Sequence, residues 1–234
     1  MHAHEKLLLA NKAWALDKLE LDEHYFDELA SDQNPAFLWI GCSDSRVSAE
    51  EITGTMPGEM FVHRNIANQV IGSDLNLLSV LQYAVEVLKV RHIIICGHYE
   101  CGGVKAALLD KHFGLIDHWL QNIKNVKVKY RDELAAISDE HERFDRLVEL
   151  STKEQVYSLA RTSIVQDAWE RKQDLWIHGW VFDLRNGMLK EISNLSPDDK
   201  NDVQFVRDQD AKDGLKKALT TDIRLLGGQQ PVEK

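Results

Sequence analysis

The sequence lacks three features that mark particular classes of protein: a disulfide framework, a long apolar run and an excess of basic residues. It has 3 cysteines in 234 residues, an odd and small number that does not suit a disulfide-stabilised secreted domain. No stretch approaches the roughly eighteen consecutive apolar residues of a membrane span. The N-terminal residues also lack the apolar core and cleavage site of a signal peptide. We therefore expect a cytoplasmic protein that does not bind membranes.

The excess of acidic residues argues against nucleic acid as a partner. The formal net charge is −10, whereas nucleic-acid binding draws on clustered lysine and arginine. Nucleic acid is therefore not an expected partner. Hydrophobic residues make up 44% and charged residues 28%, which is ordinary for a globular protein. A chain of this length can bury a full core without covalent cross-links.

Apolar runs that read as strands alternate with segments of helical periodicity. The predicted strands are 36–45, 58–65, 91–98, 174–184 and the MLKEIS segment that follows the Asn186–Gly187 turn. The predicted helices are 4–31 in two pieces, 74–90 with Ser73 or Asp74 as N-cap, VKAALLDKH after Gly102–Gly103, most of 115–172, and one near 203–220. This alternation predicts an α/β fold with a central, mostly parallel sheet flanked by helices. We expect about four parallel strands plus an antiparallel edge strand after the turn.

No internal repeat or linker divides the chain. We therefore predict a single domain over residues 1–234. Its parts would be a helical arm at 1–31, a core at 36–192 and a C-terminal extension at 193–234.

Two cysteines and one histidine stand together in the segment CGHYECGG, residues 96–103. This segment ends one predicted strand, and Cys42 ends another. Ligands of parallel sheets bind beyond the carboxyl ends of the strands. Thiolate and imidazole are preferred zinc ligands, and three protein ligands leave a fourth position open. Cys42, His98 and Cys101 could therefore form a catalytic zinc site, although each could also simply pack at a strand end.

The remaining residues around these strand ends narrow the alternatives. Cys96 is in phase with the apolar run before it, so we predict a buried, inert thiol. Four residues separate it from Cys101, so no CxxC redox motif exists and a thiol oxidoreductase is disfavoured. Asp44 and Arg46 place a carboxylate and a guanidinium just after Cys42. The carboxylate could occupy the fourth metal position, accept a hydrogen bond from a metal-bound hydroxide, or form only a loop salt bridge.

Three segments together closely resemble the signatures of β-class carbonic anhydrases: GCSDSRV (41–47), FVHRNIANQV (61–70) and GHYECGGVKAAL (97–108). The similarity extends over most of residues 30 to 185. The resemblance implies a zinc enzyme, with one Zn²⁺ per subunit, that interconverts CO2 and bicarbonate through attack of zinc-bound hydroxide. It makes Cys42, His98 and Cys101 the zinc ligands. Asp44 and Arg46 become the dyad that gates and orients the fourth ligand.

The resemblance also implies a substrate pocket and an assembly. The matching pocket residues are Gln33, Phe61 and Tyr83, with backbone contacts from Gly102 and Gly103. Members of the family form dimers, often paired into tetramers, in which N-terminal helices embrace the neighbouring subunit. The arm at residues 1–31 therefore predicts a homo-oligomer, a dimer or a tetramer.

Some members of the family carry an inhibitory bicarbonate site formed by a tryptophan, an arginine and a tyrosine. Trp39 and Arg64 match the first two positions, but Phe182 occupies the third and lacks the phenolic hydroxyl. Losing one hydrogen-bond donor weakens such binding by ~1 kcal/mol or more. We therefore expect a regulated enzyme of this subgroup with weakened bicarbonate control.

Two alternatives and one unexplained residue remain. The same zinc scaffold could hydrolyse a CO2 analogue such as carbon disulfide or carbonyl sulfide, or it could serve a structural or regulatory protein without turnover. Glu100 is unusual because relatives commonly carry a small or neutral residue there; it is either a solvated surface carboxylate or a participant in proton export. The proton shuttle itself is not readable from the sequence, with His63 and His112 as candidates.

Overall fold

A central five-stranded sheet organises the protein. The computed structural model describes residues 2–109 and 111–203. Within those residues the strand order is β2-β1-β3-β4-β5. The strands are β1 Phe37–Cys42, β2 Met60–Asn65, β3 His92–His98, β4 Trp176–Asp183 and β5 Met188–Leu195. The first four run parallel and β5 pairs antiparallel with β4, which confirms the predicted fold class.

Helices of very different lengths flank this sheet. They are α1 Ala3–Leu21, α2 Tyr25–Ser31, α3 Ala49–Thr53, α4 Leu75–Gln82, α5 Gly102–Leu108, α6 Ile116–Lys129, α7 Arg131–Ala135, α8 Glu140–Ala160, α9 Ser163–Glu170 and α10 Lys200–Val203. The Asp74 side chain accepts hydrogen bonds from the N–H groups of Asn76 and Leu77, which confirms it as the N-cap of α4. A π-helical turn over Tyr83–Val87 continues that helix. Among the described residues, no helix combines the length and the apolar content that a bilayer crossing needs.

The helical pattern predicted for residues 115–172 is present but interrupted. The chain leaves α8 at Arg161 and restarts at α9, whose N-cap Thr162 accepts a hydrogen bond from the Val165 N–H. The helix after Gly103 ends at Leu108, earlier than the apolar pattern indicates. The helix predicted near residues 203–220 lies almost wholly outside the described residues.

Side chains alternate between the two faces of the sheet, and each face is buried. Leu38 and Ile93 point into one apolar cluster, which α4 and α9 cover. Trp39, Ile94 and Cys96 belong to a second cluster on the opposite face. This confirms the prediction for Cys96, which is fully buried; burial raises the pKa of its thiol, and its S–H donates to the Gly97 carbonyl. Strand β3 is covered on both faces, which explains its uninterrupted isoleucines.

Helix α8 fixes the turn that follows β3. A Cβ added at Gly97 would overlap the Thr152 hydroxyl, so only glycine permits this close approach of strand and helix. One turn earlier on α8, the Glu149 carboxylate accepts hydrogen bonds from Tyr99 Oη, Arg146 Nη1 and Lys190 Nζ, each at 2.7 Å. The residue after His98 is thereby attached to the helix layer.

We predict that Glu149→Gln lowers the free energy of unfolding by about 2 kcal/mol at neutral pH, because it removes charge-assisted bonds to partly buried partners. Burial raises the pKa of Glu149, but hydrogen bonds from Lys190, Tyr99 and Arg146 outweigh it and lower the pKa below the ordinary 4.5. The carboxylate therefore stabilises the fold above that pH, and its contribution is lost as the pH falls through the folded-state value.

Urea titrations of the wild type and Glu149→Gln, at one fixed protein concentration and from pH 7 downward, test this prediction. The exposed Glu51 on α3 supplies the control variant, Glu51→Gln. Equal stability of wild type and Glu149→Gln at pH 7, or a difference that grows on acidification, would contradict the prediction.

Candidate metal centre

Three potential metal ligands converge at the carboxyl edge of the sheet. Cys42 ends β1, His98 ends β3, and Cys101 lies in the turn that leads into α5. Their ligand atoms all lie within 4.8 Å of one another, and all three residues are buried. They meet because β1 and β3 are parallel neighbours whose carboxyl ends adjoin. We call Cys42, His98 and Cys101 the metal centre.

The orientation of His98 is that of a metal ligand. Its Nδ1 lies 2.8 Å from the Tyr99 carbonyl oxygen, so the Nδ1–H donates to the backbone. This tautomer leaves the Nε2 lone pair free, as in histidines that bind metal through Nε2. Nε2 is buried and has no hydrogen-bond partner among the described residues. Buried polar atoms are seldom left unpaired, so this one indicates a missing partner.

The thiols of Cys42 and Cys101 share a hydrogen bond. Their sulfurs lie 3.9 Å apart. The hydrogen bond from Cys101 lowers the pKa of Cys42 to about 4, and the same interaction, together with burial, raises the pKa of Cys101. One proton between two sulfurs thus makes one thiol acidic and the other resistant to ionisation. A divalent cation would replace that proton and favour thiolate at both positions.

Backbone N–H groups also surround the sulfurs. The Ala67 N–H donates to Cys42 Sγ at 3.3 Å, and the backbone N–H groups of Gly103 and Val104 act to lower the pKa of Cys101, against the larger effects of Cys42 and burial. Ala67 has φ +60°, a left-handed conformation that lets its N–H face the sulfur. Two thiolates and one imidazole with free Nε2 fit zinc, with a fourth position left open. The donor set is compatible with one zinc ion per subunit.

Asp44 and Arg46 form a bidentate ion pair beside the metal centre. Arg46 Nε and Nη2 donate to the two carboxylate oxygens of Asp44 at 2.9 and 2.8 Å. These bonds hold the pKa of Asp44 well below its usual range. Asp44 Oδ2 lies 3.7 Å from His98 Nε2, so the carboxylate faces the metal centre. Arg46 Nη2 also donates to the Glu100 carbonyl at 3.3 Å, which joins this pair to the turn that carries Cys101.

Of the three residues matched to an inhibitory bicarbonate site, two are buried and the third is exposed. Trp39 and Phe182 are buried in the same apolar cluster of the sheet. Arg64 is exposed, and its guanidinium donates to the carbonyl oxygens of Cys42 and Asp44 at 2.9 and 2.5 Å. Arg64 therefore braces the loop that carries the first ligand and the ion pair.

The predicted pocket residues are only partly brought together. Phe61 and Tyr83 are neighbours with ring centroids 5.9 Å apart, whereas Gln33 is exposed and bonded to Asp32. Within the described residues, no hydrogen bond, ion pair or ring contact joins these three to the metal centre. The two glycines differ as well. Gly102 faces open space, whereas a Cβ at Gly103 would press against Ile66 and Ala67.

Sequence reasoning missed a second cluster beside the metal centre, formed by Glu100, His141 and Asp145. His141 and Asp145 lie on α8, far along the chain from the turn that carries Glu100. Their i, i+4 spacing on a helix was the only signal, and it is common on solvated helix faces.

The chain is similar to a known protein family over most of its length. The family model described as "Carbonic anhydrase" matches residues 37–189. A carbonic anhydrase of Emericella nidulans is 48% identical over 203 residues, which is 87% of this chain and 89% of the relative. The chain belongs to the β-carbonic anhydrase family.

Two solved structures agree with that assignment. A structure from a study of two tetrameric β-carbonic anhydrases of Sordaria macrospora is 41% identical, covers 82% of this chain and 98% of its own, and has a TM-score of 0.79. The Coccomyxa β-carbonic anhydrase in complex with acetazolamide is 38% identical, covers 84% and 89%, and has a TM-score of 0.80. The fold is therefore that of a β-carbonic anhydrase.

We predict that the wild-type protein purifies with about one zinc ion per chain and that Cys42→Ala and Cys101→Ala each lose most of it, because removing one of three protein ligands leaves too few to hold the ion. The matched control is Cys96→Ala, which removes the third cysteine and should keep its zinc. Elemental analysis after gel filtration measures the ratio, and circular dichroism checks that each variant folds. Zinc retained in both ligand variants, or lost in Cys96→Ala alone, would refute this ligand set.

Proposed function

We propose that the protein catalyses the reversible hydration of CO2 to bicarbonate and a proton. The observation that carries the proposal is the buried Cys42–His98–Cys101 cluster, whose free His98 Nε2 faces the Asp44 carboxylate. Membership of the carbonic anhydrase family supports this reaction over other zinc chemistry. Zinc held by these three residues supplies Lewis acidity that makes water a competent nucleophile near neutral pH.

Asp44 is proposed to gate and orient the fourth ligand position. An ionised carboxylate only accepts hydrogen bonds. One that faces the open position therefore favours a ligand with an O–H to donate over an aprotic anion. Arg46 keeps Asp44 ionised and fixes its direction through two parallel bonds. Displacement of the carboxylate toward His98 Nε2, now 3.7 Å away, would close the position instead.

Phe61, Tyr83 and Gln33 are proposed to bind CO2 from across a subunit interface. CO2 is small and apolar, so the paired rings of Phe61 and Tyr83 suit it better than a charged cleft. Tyr83 and Gln33 are both exposed within one chain, where a neighbouring subunit could use them. The open face of Gly102 leaves its backbone available to substrate, and the close packing of Gly103 holds the start of α5 in place.

The arm supports a homo-oligomer, a dimer or a tetramer. None of the α1 residues, Ala3–Leu21, is buried in the described chain. Leu7, Leu8, Leu9, Leu16 and Leu21 are each half exposed or more. A helix with this much exposed leucine needs a covering surface. We propose that a second copy supplies it; the related Sordaria β-carbonic anhydrases are tetrameric. A monomeric mass by light scattering would contradict this.

The division into parts and the location are also proposals. We retain a single domain over 1–234 with an arm at 1–31, a catalytic core at 36–192 and an extension at 193–234; limited proteolysis that frees a stable fragment within the core would overturn it.

Three cysteines without a disulfide suit a reducing compartment, and we propose the cytoplasm. Cell fractionation tests this location.

Stopped-flow CO2 hydration by the zinc-loaded protein tests the function. We expect turnover in the wild type and a loss of about tenfold or more in kcat/KM for Asp44→Asn, because the amide keeps the volume but loses the charge that selects the fourth ligand. Asp132→Asn, an exposed change on α7, is the control.

The same preparation, offered carbon disulfide and carbonyl sulfide, separates the alternatives. Hydrolysis of these analogues without CO2 hydration would replace the proposed substrate. A zinc-loaded protein that turns over none of the three would indicate a structural or regulatory protein.

We propose that bicarbonate inhibits this enzyme only weakly, because Phe182 occupies the position of a tyrosine in the inhibitory site. The ring lies in the same buried cluster as Trp39 and has no hydroxyl with which to hydrogen-bond an anion. We predict that Phe182→Tyr strengthens inhibition by bicarbonate about fivefold or more, the factor that corresponds to ~1 kcal/mol. Inhibition curves measured on both proteins make the comparison, and identical curves would refute the proposal.

A further inference from the structure

A second group of titratable side chains adjoins the metal centre. His141 Nε2 lies 3.1 Å from Glu100 Oε1, and His141 Nδ1 lies 3.5 Å from Asp145 Oδ2. His141 and Asp145 are one turn apart on α8, and Glu100 comes from the turn between His98 and Cys101. Glu100 has φ +59°, an uncommon conformation for a residue other than glycine. With these two contacts, both ring nitrogens of His141 face carboxylates.

The group lies at the turn that carries a metal ligand and is open to solvent. Glu100 directly precedes Cys101, and its carbonyl accepts the 3.3 Å bond from Arg46 Nη2. The side chain of His141 is 53% exposed. The ring therefore contacts the turn that carries a metal ligand on one side and bulk solvent on the other.

A cavity of about 480 Å³ opens beside the same ring. Lys105, Lys127 and Arg143 line it together with Glu100, Glu140 and His141. The three cationic side chains outnumber the two carboxylates of this lining, which lets a small anion approach in spite of the net charge of −10. Anionic buffer bases such as phosphate could therefore approach His141 through this cavity.

The surroundings favour proton transfer over a second metal ion. Asp145 is already paired with Arg185 Nη1 at 3.0 Å, and Arg143 lines the adjoining cavity. Guanidinium groups compete with a cation for the carboxylates. They do not hinder an imidazole that takes up and releases a proton.

We propose that His141 is the proton-transfer residue of the proposed hydration reaction and that Glu100 and Asp145 position its ring. This inference rests on the proposed function. Hydration releases one proton for each CO2 consumed. Neutral His141 accepts that proton at a ring nitrogen, directly or across an intervening water, and the imidazolium then gives it to a buffer base. An O–H bond of water breaks as the N–H bond forms, and that N–H bond breaks as the buffer base takes up the proton.

The groups that face His141 come from several elements. Glu140, Arg143 and Asp145 share α8 with it, Glu100 lies on the turn, Lys105 on α5 and Lys127 on α6, and Arg185 acts through Asp145. Carboxylates and cations thus surround the ring in nearly equal number. Its role therefore depends on local placement by Glu100 and Asp145 rather than on a strongly one-signed field.

The test separates proton transfer from CO2 conversion. In weakly buffered solution His141→Ala should lower kcat about tenfold or more and leave kcat/KM within about twofold, because kcat/KM ends with bicarbonate release. Added imidazole should restore kcat. Exchange of ¹⁸O from labelled CO2, followed by mass spectrometry, should show normal interconversion with slow release of labelled water. Glu100→Gln should give a smaller change of the same kind.

A second histidine of the same chain supplies the control variant. His118→Ala removes an exposed histidine on α6 and should match the wild type. Zinc content and the thermal unfolding midpoint of His141→Ala should also match it. An unchanged kcat in weak buffer overturns the proposal, as does an equal fall in kcat and kcat/KM without imidazole rescue, which would indicate a structural role. A zinc-loaded wild type that hydrates no CO2 refutes the proposed function instead.

Discussion

The close approach of two buried cysteine sulfurs is the constraint on which the site depends. Cys42 and Cys101 lie 3.9 Å apart inside an apolar cluster, with the free nitrogen of His98 beside them. Burying such groups unpaired is costly, because neither thiolate charge nor a lone imidazole nitrogen finds water there. A cation that binds both sulfurs and the His98 nitrogen would offset this unfavourable free energy. The sheet order supplies the placement, since β1 and β3 must be neighbours for these residues to meet.

The surrounding charges keep this arrangement in one conformation. Arg64 braces the loop after β1 through two carbonyls, and Arg46 links Asp44 to the turn after β3. On the other side, Glu149 attaches Tyr99 to α8. These contacts act mainly on the backbone segments that carry the ligands, so that the geometry of the open coordination position follows from the fold.

Much of the fold could be predicted because its strands are apolar runs that end at chemically distinctive residues, as at Cys42 and His98. The break between α8 and α9 was not predicted, because the apolar stripe continues across Arg161 and only the Thr162 cap interrupts it. His141 was missed for a different reason: its relation to Glu100 exists only after α8 packs on β3. The roles of Gln33, Phe61 and Tyr83 stay predictions, since the described single chain does not join them to the metal centre.

X-ray absorption at the zinc edge of the wild-type protein tests the central claim most directly, because it reports the atoms bound to the ion in solution. We predict two sulfurs at ~2.3 Å and one histidine nitrogen at ~2.0–2.1 Å, with one further light atom. A zinc ion bound only by nitrogen and oxygen, or by more than two sulfurs, would contradict it.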